Sequence, residues 1–89
     1  MREDRQCRLI ACIHAAIATS RFARLKLWAE AREAVDRGKQ YIKLLSAMET
    51  LLDDYSLKIF RQLRDWFDDA NTLIDKQEIT PAWTFEPLT

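Results

Sequence analysis

Residues 39–76, KQYIKLLSAMETLLDDYSLKIFRQLRDWFDDANTLIDK, decide the fold class. At about 100° per residue, Tyr41, Leu45, Met48, Leu52, Tyr55, Ile59, Leu63, Trp66, Ala70 and Leu73 fall in one sector, at steps of three or four. No charged residue enters that sector, the pattern of a long amphipathic helix. Leu44, Leu51, Phe60, Phe67 and Ile74 widen the stripe beyond a two-helix seam, which implies contact with more than one neighbouring helix. Asp53-Asp54-Tyr55-Ser56 offers a cap for a separate helix, but the stripe keeps its phase across it. One continuous helix over about 39–77 is the expectation.

The segment before it is less regular. Leu9, Ile10, Ile13, Ile17, Leu27, Trp28, Ala31 and Val35 share a face if one helix runs unbroken over about 3–37. That face then holds Ser20, Arg21 and Arg24 at its centre. Either the helix breaks near Thr19-Ser20, where a hydroxyl can cap a second helix and Phe22 and Leu25 reset the phase, or an arginine lies in the seam. Neither Gly nor Pro marks a joint, which favours an unbroken or gently kinked helix. Gly38 is the only glycine and follows Arg37, as at a helix end closed by a left-handed residue. The sequence therefore predicts an all-α fold: an antiparallel hairpin of two long helices turning at Gly38, within a single helical domain spanning residues 1–78. At 89 residues, such a hairpin would complete a bundle by dimerisation or by binding a partner.

Beyond residue 78 the helical pattern stops. Proline disfavours helix at Thr80, and Pro81 to Pro87 reads as extended chain with Trp83 and Phe85 on one side. Residues 79–89 are thus expected to form an extended aromatic tail, packed on the protein's own helices or docked in a partner's groove.

Charge sharpens the register. The formal net charge is zero, yet residues 1–43 carry ten Lys/Arg against five Asp/Glu, and residues 44–89 carry four against nine. Between Asp4 and Glu30 stand Arg5, Arg8, Arg21, Arg24 and Lys26 with no acid. With a turn at Gly38, Arg5 and Arg8 would approach Asp65, Asp68 and Asp69. Arg21 and Arg24 would approach Asp53 and Asp54. Lys26 would meet Glu49, while Glu30 and Glu33 would meet Lys43. Exposed pairs contribute only about 0.2 to 1 kcal/mol each, so they would select register more than stability.

Chemistry is thinly represented. His14 is the only histidine, Cys7 lies roughly 10 Å along the axis from it, and Cys12 points to another face. No Glu-x-x-His pair and no Gly-rich phosphate loop occur. Asp53-Asp54 and Asp68-Asp69 diverge by about 100° on a helix and read as solvated faces. No catalytic residue, metal site or cofactor is expected. The N-terminus imitates a secretory signal through its arginines and the run Leu9 to Ala18, but Glu3, Asp4 and the embedded His14 argue against export. Apolar residues lie in stripes instead of one membrane-length run, and two cysteines that cannot bridge locally suit a reducing compartment. A cytoplasmic protein that does not enter membranes is the expectation.

What remains is a protein that acts by occupying surfaces. The sequence suggests a small adaptor, chaperone-like cofactor or inhibitor of a larger protein, bound to that protein or paired with a copy of itself, with Arg5, Arg8, Arg21, Arg24, Trp28, Trp83 and Phe85 as candidate contacts. The alternative is a nucleic-acid-binding regulator using the basic N-terminal helix. The nine acids of the second half oppose that reading.

Overall fold

The computed structural model describes residues 2–78, with side chains from Gln6 onward. The described chain is helical without strands: α1 (Arg2–Arg24), α2 (Trp28–Ser46) and α3 (Asp54–Lys76), with a short 3-10 turn at Glu49–Leu51. The all-α expectation holds, but the long helices are cut at other places than the sequence suggested. Three helices stand where two were expected.

Alanine-rich sequence carries α1 through Thr19-Ser20 without a break. The Thr19 hydroxyl donates to the carbonyl of Ala15 at 2.7 Å, so it serves its own helix instead of capping a new one. The break comes later and without glycine. Lys26 takes a left-handed conformation with φ 61°. Leu27 N–H then donates to the Phe22 carbonyl and Lys26 N–H to the Ala23 carbonyl, both at 2.9 Å. That pair of bonds is the Schellman closure, which satisfies carbonyls orphaned by the helix end. Arg21 and Arg24 occupy the last turn, where cations offset the negative end of the helix dipole.

Gly38 is not a turn. It lies inside α2, fully packed, and its backbone has no positive φ. A Cβ at this position would fall within the Phe67 ring of α3, so the glycine is there for close approach. On its other side the Cys12 thiol donates to the Gly38 carbonyl at 3.7 Å, which brings α1 to the same point. All three helices meet around residue 38.

The second connection falls inside the stretch expected to be continuous. Asp53 caps α3 by accepting from the Ser56 N–H at 2.7 Å. The stripe survives the interruption: Leu45, Ile59, Leu63 and Ala70 are buried, and Tyr41, Met48, Leu52, Trp66 and Leu73 pack against the core. Tyr55, beside the cap, is the exception and is exposed. The helix end at Gln77 repeats the left-handed closure, with φ 53° and the Glu78 N–H donating to the Leu73 carbonyl at 3.0 Å.

These connections reset every register. Cys12 with Gly38 places α1 and α2 antiparallel about Leu25–Leu27, and Gly38 with Phe67 and Arg32 with Asn71 do the same for α2 and α3. Ion pairs between elements join Arg32 of α2 with Asp75 of α3 and, at 3.8 Å, Glu49 of the 3-10 turn with Arg61 of α3, while Arg32 also meets Asp36 within α2 at 3.9 Å. Arg64 adds a pair with Asp65 at 3.6 Å. The complementarity expected from a turn at Gly38, including Arg21 and Arg24 against Asp53 and Asp54, was an accident of a wrong fold-back point.

The core has two characters. Between α1 and α2 it is built of small residues, with Cys12, Ala15, Ala16 and Ala23 alongside Ala31, Ala34, Val35 and Gly38. Toward α3 it is built of large ones, Leu45, Phe60, Leu63 and Phe67, and Trp66 meets Phe67 edge to face at 5.2 Å. Residues 79–89 and the extended tail expected there lie outside the described residues, as does the side chain of Arg5.

Candidate functional site

The face of α1 opposite the core is unlike the outer face of an ordinary surface helix. Leu9, Cys12, Ala16, Thr19 and Ala23 turn inward, while Ile10, His14, Ile17 and Arg21 recur at steps of four, three and four on the other side. Ile10 is 52% exposed, Ile17 38% and Leu25, just past the helix, 67%. Scattered exposed aliphatics are ordinary, but these share one line. His14, Ile17, Ala18, Arg21, Phe22 and Leu25 border a shallow groove of about 390 Å³.

Electrostatics gives the groove a sign at one end. Arg21, Arg24 and Lys26 are all exposed around its C-terminal end. Among the described residues, neither Arg21 nor Arg24 enters an ion pair. The helix carbonyls answer part of this charge, but a dipole end carries only about half an elementary charge. Residues 5–29 contain no acid of their own, the nearest acids in sequence at this end being Glu30 and Glu33 on α2, and among the described residues neither pairs with Arg21 or Arg24. Arg24, expected inside the apolar seam of a continuous helix, is instead exposed because α1 ends at that residue.

The candidate contacts named from sequence are therefore not brought together as a set. Arg21 borders the groove, and Arg24, one turn after Arg21, does not. Arg8 is half-buried and, thirteen residues before Arg21, points roughly 140° away around the helix. Trp28 is half-buried against the core. Trp83 and Phe85 fall outside the described residues. His14, Ile17, Ala18 and Leu25 were not singled out as contacts, although apolar residues fall on both sides of residues 9–25.

The groove offers little chemistry beyond contact. A strongly perturbed group lies elsewhere: burial pushes the Cys12 thiol up to about 12. Cys12 is a neutral, inert packing residue, whereas Cys7 is exposed. Among the described residues, no three His, Cys, Asp or Glu side chains gather where they could hold a metal ion. No described helix is long and apolar enough to cross a membrane. No protein-family model, curated protein or solved structure matches the chain.

Proposed function

We propose that this chain is a small non-catalytic protein-interaction module that works as an adaptor, chaperone-like cofactor or inhibitor of a larger protein. The observation that carries the reading is the line of Ile10, Ile17 and Leu25 on the outward side of α1. An aligned apolar strip on a helix whose opposite face already fills a core has no folding task left among the described residues, and such strips mark docking surfaces. Pairing with a second copy is the other form of the same reading.

The test compares the wild-type chain with Ile17→Glu, a change on the exposed side of α1. Sedimentation reads the oligomeric state, and affinity capture with identification reads the partner. A dimer or a defined complex that wild type forms and Ile17→Glu loses supports the module. A strictly monomeric chain that retains no partner in an Ile17-dependent way removes it. The nucleic-acid reading draws on one observation, the exposed cluster of Arg21, Arg24 and Lys26. It requires binding to single-stranded or duplex nucleic acid that weakens steeply with salt.

A further inference from the structure

We propose that the outward face of α1 takes an acidic amphipathic helix, laid along the strip from Ile10 to Leu25 with its carboxylates toward Arg21, Arg24 and Lys26. This rests on the reading that the face is a docking surface and adds the chemistry of what docks.

The occupant's backbone decides its conformation. An extended segment leaves N–H and C=O groups in search of partners, and a neighbouring strand normally supplies them. The described residues contain no strand, and along α1 the backbone hydrogen bonds are spent inside the helix. A helical occupant satisfies its own backbone and asks the surface only for side-chain contact. From Ile10 to Leu25 is a rise of roughly 22 Å, which a helix of about fifteen residues covers in four turns.

Charge decides the composition. The strip is apolar through Ile10, Ile17, Phe22 and Leu25, and the exposed charges that α1 and its connection carry at the C-terminal end, Arg21, Arg24 and Lys26, are positive. Leucine-type residues at steps of three and four would cover the strip, and Asp or Glu beside them would answer the arginines. A second copy of α1 is a poor occupant, because it brings no acid within residues 5–29 and adds like charge. The outward side of α3 in a second copy has acids at Asp65, Asp68 and Asp69 but lacks an apolar strip to cover Ile10 and Ile17.

The experiment uses the full chain and a fluorescent peptide of about eighteen residues, with leucines at helical spacing flanked by glutamates. A second peptide carries lysine at each glutamate position. The expected result is saturable binding of the glutamate peptide, with amide shifts centred on Ile10, His14, Ile17, Arg21 and Leu25. Replacing glutamate by lysine weakens it about tenfold or more, as loss of two or three charge pairs and gain of repulsion requires. The double variant Arg21→Glu/Arg24→Glu reverses the preference, binding the lysine peptide better than the glutamate one. Arg21→Gln/Arg24→Gln, which keeps the helix polar without reversing its charge, reduces the preference to what Lys26 alone supports.

Failure of the glutamate peptide to bind, equal binding of the two peptides, or shifts centred on α2 or α3 overturns the proposal. So does tighter binding of a single-stranded oligonucleotide at the same salt. If only the full-length variant Trp83→Ala/Phe85→Ala binds the peptide, the face belongs to the chain's own C-terminal residues and the proposal falls. An Ile17-dependent partner with no glutamate-peptide binding would leave the interaction module standing and remove only this inference.

Discussion

α1 and α3 are both 23 residues long, and they use that length differently. α3 divides cleanly: Ile59, Phe60, Leu63, Phe67, Ala70 and Ile74 are buried, while Lys58, Arg61, Arg64, Asp65, Asp68 and Asp69 face out. α1 buries small residues on one side and keeps isoleucines on the other. A helix with large core residues meets its packing requirement with one face and leaves the rest polar. A helix that packs through alanine, cysteine and threonine gains close approach but buries less apolar area per residue. The difference separates a helix finished by its own fold from one with apolar surface to spare.

The largest test of this contrast is Phe67→Ala. The ring is almost completely buried and sits on Gly38, so its removal empties the point where the three helices converge. A loss of about 3 to 5 kcal/mol is expected, read by denaturant unfolding. Next comes Gly38→Ala. Helix propensity alone favours it by about 1 kcal/mol, but the methyl collides with Phe67, and overpacking costs about 1 to 3 kcal/mol. Net destabilisation is expected. Phe67→Leu in the same chain should recover part of it, so the two changes are less than additive in a double-mutant cycle.

Smaller effects compare the two helix ends. Lys26 closes α1 and Gln77 closes α3, each in the left-handed region without glycine's freedom. Lys26→Gly and Gln77→Gly should each raise stability by up to about 1 kcal/mol, less whatever the added unfolded-state entropy removes. If Lys26→Gly lowers stability instead, packing of the lysine stem outweighs the backbone term. The smallest expected effect belongs to Ile17→Glu. With the side chain on the exposed strip, the unfolding free energy should change by no more than about 0.5 kcal/mol. A loss comparable to that of a core substitution would show that α1 has no spare face and would break the contrast.

Much of this was legible in the residues, and the misreadings have identifiable causes. Apart from Tyr55, the apolar stripe from Tyr41 to Leu73 named core residues correctly, because a hairpin must turn the same side of both helices inward. Its phase happened to run on through the connection, so spacing alone hid the break. The Asp53 cap was visible and, with the exposure of Tyr55, marks the true helix start. Gly38 misled because a lone glycine can serve a left-handed turn or a close contact, and the sequence does not distinguish them. Lys26 carried no local mark at all, since Leu25-Lys26-Leu27 contains none of the residues that favour positive φ. Once the first connection moved to Lys26, Arg24 left the seam. The strip beside it could have been suspected from isoleucines that fitted no single face.

The thiol of Cys12, held against the carbonyl of Gly38, makes this protein its own stopwatch. A reagent such as iodoacetamide can reach Cys7 in the folded chain, but it reaches Cys12 only when α1 lifts from α2. The two sites lie on one helix, so Cys7 calibrates the reagent while Cys12 reports the opening. Compared with the rate of an exposed thiol, slow Cys12 modification gives the fraction of time that the first helix spends away from its partner. An occupant that binds only the docked α1 would slow Cys12 modification, by a factor of one plus its concentration over its dissociation constant. One that peels α1 away would speed that modification.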